Sequence, residues 1–231
     1  MKKSYEMDMC HGPILEKLLI FTFPLMLSGI FQLLFNAADI IVVGKFAGSH
    51  ALAAVGSTSA LITLFVNVFI GFSIGANVMV ARYFGAKDER NVQETVHTAI
   101  LLAAISGFVL IAAGFFLSRP VLNLMGTPAD VIDHAVLYIR IYFVGMPAML
   151  IYNFGSAILR AIGDTRRPLY FLIISGVINV IFNLFFVIVL HMGVAGVALA
   201  TVISQIISAI LILRCLAKSD SIYRLELKKL R

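Results

Sequence analysis

The sequence predicts an all-α membrane protein in which six helices cross the bilayer as one bundle. Three observations carry this. Apolar residues make up 61% of the 231 and charged residues only 13%, against about half and a quarter in soluble chains. The mean hydropathy of +1.00 comes from six long apolar blocks rather than from residues scattered at helical or strand spacing. Finally, the basic residues collect in alternate gaps between those blocks.

The blocks span about 18–43, 51–81, 99–117, 135–159, 169–190 and 194–213. Each approaches or exceeds the roughly 20 residues a membrane helix needs. An open sheet cannot satisfy its backbone in lipid, and no block alternates as a barrel strand does. The first two blocks exceed the minimum and are expected to tilt, kink or protrude. The turn His191-Met192-Gly193 forces the last two blocks into an antiparallel hairpin. Gly126-Thr127-Pro128 punctuates the entry to block four, with Thr127 or Asp130 as its expected N-cap. No linker divides the chain, which reads as a single unit ending in a basic tail over 214–231.

Fifteen Lys and Arg residues fall in the N-terminal segment, the second and fourth gaps and the tail, whereas the other gaps hold two, Lys45 and Arg119. By the positive-inside rule the rich side faces the cytoplasm, so both termini are expected there, in a multi-pass inner (plasma) membrane protein. A net charge of +6 does not point to nucleic acid, because the basic residues sit in gaps rather than along one face. Cys10 and Cys215 both fall on the cytoplasmic side, and no disulfide is expected. The first apolar block is too long for a signal peptide.

Two charged residues fall inside the blocks, Asp39 and Arg140. A carboxylate in lipid costs roughly 2.5–3.5 kcal/mol even on lenient insertion scales, so Asp39 should face the bundle or a wet cavity. It is the candidate ion-coupling residue; the competing reading has it reaching interfacial water from the outer end of helix one. Arg140 lies near the start of block four and suits a structural role, snorkelling outward. Amides surround the Asp39 idea. Asn36 shares its face at i−3 with Gln32 nearby, Asn179 and Asn183 stand at i, i+4 on helix five, and Asn153 is on helix four. Asn67 and Asn77 are on helix two. Each amide alone fits a hydrogen bond between helices; together with the acid they suggest a polar cavity. Pro24 and Pro147 interrupt blocks one and four and are expected to kink them, Pro24 acting as a hinge below Asp39. Gly71 and Gly75 form a GxxxG suited to close helix packing. No HExxH, phosphate-binding loop, Cys/His ligand cluster or nucleophile elbow occurs, so neither catalysis, a metal nor a cofactor is expected.

Several stretches resemble one family. They are Gly12-Pro-Ile, Phe35-Asn-Ala-Ala-Asp-Ile-Ile-Val-Val-Gly44, Ala51-Leu-Ala-Ala-Val-Gly56, Arg82-Tyr-Phe-Gly-Ala86, Leu159-Arg-Ala-Ile-Gly-Asp-Thr-Arg-Arg-Pro168 and Gly193-Val-Ala-Gly-Val-Ala-Leu-Ala-Thr201. Together they make the chain similar to the N-terminal half of a multidrug and toxic compound extrusion (MATE) transporter. The resemblance implies one six-helix lobe of a two-lobed fold around a central cavity. It also implies export of organic cations or amphipathic drugs against inward protons or sodium. In the family an acid on helix one takes the ion within the N-lobe, and Asp39 occupies that place; Pro24 matches the proline where that helix bends in some members. Many members carry Asp where this chain has Asn183. That departure leaves Asp39 as the sole buried acid and favours protons over sodium. The chain is about half the family's length, so it is read as a fragment or as a half-transporter pairing with another copy or a separate second lobe. The alternatives are a lipid-linked saccharide flippase, for which only Arg140 offers the expected cavity cation, and a non-transporting membrane fragment.

Overall fold

The computed structural model describes Met7, residues 12–219 and residues 221–226. Among these the secondary structure is helical throughout. α1 (Ile14–Val42) runs into a π-helical turn, Val43–Ala47. α2 (Ser49–Gly85) and α3 (Glu89–Leu124) follow, then α4 (Ile132–Val144) and α5 (Met146–Ala161). α6 (Arg166–Leu184) ends in a second π-helical turn, Phe185–Val189, and α7 is Gly193–Ala217. Five of these segments are long and apolar enough to cross a membrane, and α4 with α5 makes a sixth span, bent by 49°.

The bend follows from local sequence. Pro147 stands in the first turn of α5; it has no N–H to donate and its ring clashes with the preceding turn. Gly145 precedes it, and α7 fills the notch: a Cβ on Gly145 would stand 2.2 Å from Gln205 Oε1. α3 presses on the same bend from the other side, through Gly107 against the Pro147 backbone. Pro24 behaves differently. α1 stays helical across it, Pro24 is buried, and Ser28 Oγ donates to the Pro24 carbonyl at 2.8 Å.

Several elements outrun the apolar blocks. α2 and α3, at 37 and 36 residues, are about 55 Å long at 1.5 Å per residue, well beyond a 30 Å hydrocarbon core. Their polar ends meet at Ala86–Asp88, where Lys87 takes a left-handed φ of 57°. There the Asp88 N–H reaches the Tyr83 carbonyl at 3.0 Å and closes α2. Asp88 then caps α3, its Oδ1 accepting from the Asn91 N–H at 3.1 Å. The expected cap of α4 is corrected: neither Thr127 nor Asp130 caps it, and α4 begins after Val131 without a side-chain cap. The Pro128 carbonyl takes the N–H groups of Val131 and Ile132 instead, and Asp130 faces His50 at 3.4 Å. The GxxxG finds no partner inside this lobe. A Cβ on Gly71 or on Gly75 would meet nothing within 4 Å, so this pair packs against no other helix of the lobe.

The core lies around α5 and α7, where Phe143, Phe154, Leu150, Ile158, Leu159 and Ile212 are fully buried. α5 packs on α2, α3 and α7; α1 joins the bundle through α6 and its own π turn. Arg140 stacks over the Phe115 ring of α3, 4.6 Å from its centroid, which is a packing role. Part of the basic tail is not a free extension. Beyond α7, Tyr223 and Leu225 are buried, the Leu225 N–H donates to the Leu216 carbonyl at 3.2 Å, and the Glu226 N–H lies 3.0 Å from His97 Nε2. Cys215 carries no disulfide and receives a contact from Arg167 at 3.2 Å; Cys10 lies outside the described residues.

Candidate functional site: a polar pocket between α1, α6 and α7

Three helices contribute polar stripes to one place. On α1, Gln32, Asn36 and Asp39 follow i, i+4, i+7; on α6, Ser175, Asn179 and Asn183 follow i, i+4, i+8; on α7, Thr201, Ser204, Gln205 and Ser208 follow i, i+3, i+4, i+7. These spacings put each set on one helix face. They converge on a cavity of about 160 Å³, completed by Tyr142, Met149, Tyr152 and Asn153 from the bent span. α1 can lie this close to α6 because Gly176 faces the Phe35 ring, where a Cβ would stand 2.0 Å from a ring carbon.

Asn183, fully buried, donates from Nδ2 to Asp39 Oδ1 at 2.7 Å. Among the described residues no other hydrogen bond reaches this carboxylate, and neither Lys, Arg nor His lines the cavity. Asn179 Nδ2 lies 3.4 Å from Thr201 Oγ1, which itself donates to the Val197 carbonyl at 3.0 Å. The amide oxygens of Asn179, Asn183 and Gln205 are buried without a donor. A buried acceptor left unpaired costs about 1–3 kcal/mol, so three of them beside a carboxylate form a site short of positive charge and of hydrogen-bond donors. α1 and α6 both widen into π turns just beyond Asp39 and Asn183, and the two turns touch; such turns often mark functional sites.

Of the residues singled out in the sequence, Asp39, Asn36, Asn153 and Asn179 line the cavity, with Asn183 bonded to Asp39. Pro24 lies elsewhere, on an apolar groove toward the other end of α1. Asn77 is drawn away to the Ala157 carbonyl of α5 at 2.7 Å, and Asn67 is exposed on α2. The α7 stripe was missed, although its i, i+3, i+4, i+7 spacing was there to be read. Among the described residues, no group of three or more His, Cys, Asp or Glu could hold a metal ion.

The family model described as MatE matches residues 24–185, which run from the α1 proline through the Asp39–Asn183 pair. The chain belongs to the MatE family. It is 35% identical to the probable multidrug resistance protein YoeA of Bacillus subtilis (strain 168), over 86% of this chain and 44% of that one. It is 32% identical to the probable multidrug resistance protein YpnP of the same organism, over 88% of this chain and 45% of the relative. The lobe superposes on a solved structure, the outward-facing conformation of a multidrug resistance MATE family transporter of the MOP superfamily. That match has a TM-score of 0.86 at 25% identity, covering 93% of this chain and 48% of that one. The chain therefore spans about half the length of the curated MatE relatives it matches, and its fold is that of one lobe. The family is one of membrane transporters, not enzymes.

Proposed function

We propose that this lobe is the ion-coupling half of a drug exporter, exchanging a proton at Asp39 for an organic cation or amphipathic drug. The observation that carries it is the Asp39 carboxylate, bonded among the described residues by Asn183 alone at 2.7 Å and facing a cavity lined by Asn179 and Gln205, whose amide oxygens are unpaired. Such a site gains from a proton or cation and loses when it leaves, which is what coupling needs. Asn183 in place of an acid keeps the pocket to one carboxylate and favours the proton. Sodium is the second reading. It rests on the amide oxygens of Asn179, Asn183 and Gln205, oxygen donors of the kind hard cations take.

In the proposed cycle Asp39 is loaded from the outer side, and α1 then shifts about Pro24, whose missing N–H weakens the helix there. Asn36, Asn153, Asn179 and Asn183 hold and tune the acid. A second lobe, either another copy or a separate half, pairs with this one to enclose the drug. The fifteen-to-two basic asymmetry supports an inner-membrane location with cytoplasmic termini.

The test uses everted vesicles containing the chain, with uptake of a fluorescent organic cation driven by a pH gradient or by a sodium gradient. The proton reading expects uptake with the pH gradient alone and none in Asp39→Asn. Uptake that survives this substitution refutes coupling through Asp39. A sodium-only response assigns the site to sodium, and no uptake from either gradient refutes transport by self-pairing.

A further inference from the structure

Below the Phe35–Gly176 contact, toward the end of the lobe where basic residues gather, α1 and α6 part. They leave an apolar groove of about 790 Å³. Phe23, Pro24 and Leu27 of α1 and Leu169 and Tyr170 of α6 are among its walls, and Arg166 stands at its mouth. Among the described residues no carboxylate lines it. Arg166 is exposed; its backbone N–H goes to Asp164 Oδ1 at 3.1 Å, while its guanidinium makes no bond or ion pair with any described residue. A groove open to the bilayer fills with hydrocarbon whatever its rim. A free guanidinium at the rim selects which hydrocarbon, because it pairs with a phosphate through parallel charge-assisted hydrogen bonds, and basic pockets between membrane helices take anionic headgroups.

We propose that the α1–α6 groove is a binding site for an anionic phospholipid, with an acyl chain laid against Phe23 and Pro24 and the phosphate on Arg166. The site lies in the leaflet that faces the cytoplasm in the orientation proposed above. Occupancy itself does not depend on the transport reading. A bound chain fills the space between α1 and α6 beside Pro24, so lipid in the groove opposes any shift of α1 into it. The headgroup charge of the membrane thereby biases the position of the helix that carries Asp39.

The chain contains no tryptophan, so a single introduced one reports without background. Tyr170→Trp places it on one wall of the groove, and Met26→Trp, at an exposed position of the opposite wall, serves if the first fails to fold. Phe108→Trp, on the exposed surface of α3, reports ordinary surrounding lipid. The proteins are reconstituted in phosphatidylcholine containing rising fractions of lipid with brominated acyl chains, either phosphatidylglycerol or phosphatidylcholine. The groove reporter should be quenched at a several-fold lower fraction of brominated phosphatidylglycerol than of brominated phosphatidylcholine. The α3 reporter should not distinguish them, and Arg166→Gln should remove the groove's preference. Equal quenching by the two lipids in the groove, or a preference that persists in Arg166→Gln, overturns the proposal. So does a groove reporter that neither lipid quenches, since another protein surface then fills the groove. Transport is not measured, so failure here is distinct from failure of the exporter reading.

Discussion

Gly107→Ala tests how the bent span is held. A methyl at Gly107 would stand 2.3 Å from Pro147 Cα, 2.7 Å from its N and 2.8 Å from its Cβ. Carbon atoms rest about 3.5–4.0 Å apart, so α3 and the start of α5 must separate by about an ångström. The obstacle is backbone at a proline, and no side-chain rotation relieves it. Overpacking of this kind costs about 1–3 kcal/mol, and a rigid neighbour puts this case at the upper end. The substitution also brings a gain of up to about 1 kcal/mol from removing a mid-helix glycine. Gly71→Ala isolates that gain, because nothing lies within 4 Å of its Cβ. The difference between the two variants is therefore expected at about 2–3 kcal/mol. For a chain of this size that corresponds to roughly 4–12 °C in melting temperature. Thermal unfolding of the purified chain in mild detergent, followed by circular dichroism, measures it. A Gly107→Ala variant that melts at or above Gly71→Ala would refute the view that α3 is seated directly on the bend.

Three further outcomes are expected. Arg167→Gln leaves Asp164, fully buried, without its cation, which should lower stability by about 3 kcal/mol; it also removes the guanidinium contact to the Tyr223 hydroxyl at 3.5 Å, so protease should cut the segment after α7 sooner than in the parent chain. Asn77→Ala removes the 2.7 Å bond to the Ala157 carbonyl and should cost only about 0.6 kcal/mol, the average for such bonds in membrane bundles; a loss several times larger in the same unfolding assay would mean Asn77 does more than join α2 to α5. Hydrogen bonds from Asn91 hold the Asp88 carboxyl below the usual carboxylate range. Its cap on α3 is therefore complete above the ordinary carboxylate pKa and fades as pH falls through the lowered one. Amide exchange at Asn91, corrected for intrinsic pH dependence, should rise only in that acidic window, and a flat profile would count against the cap.

Much of the architecture was legible because hydropathy in a membrane chain reads out spans directly. The Asp39–Asn183 pair was legible for a related reason: charged and amide side chains stand out against an apolar background, and their helical spacing sorts them onto faces. Thr201, Ser204 and Ser208 escaped notice because a hydroxyl in a membrane helix bonds to its own backbone, as Thr201 does to Val197, and barely dents the hydropathy of the block. Pro147 foretold a kink, yet its size depends on Gly107 and Gln205, which come from distant helices. The GxxxG at Gly71 meets no helix of this lobe; spacing alone does not say where a partner helix lies. The fold-back of Tyr223 and Leu225 was hidden in a basic tail; Tyr223 meets Arg167, 56 residues away along the chain, and the next-door Glu226 meets His97, 129 residues away.

An exchange that loads one Asp39 carries one proton per turnover, and this sets a thermodynamic ceiling on the proposed exchange. Swapping one proton for one monovalent organic cation moves no net charge. The membrane potential, about 2.3 kcal/mol per elementary charge at 100 mV, then does no work on the cycle. The attainable concentration ratio of drug follows the proton ratio alone, about tenfold for each pH unit at 1.4 kcal/mol. A neutral compound carried by the same pocket would gain the potential as an added drive, and a dication would be opposed by it.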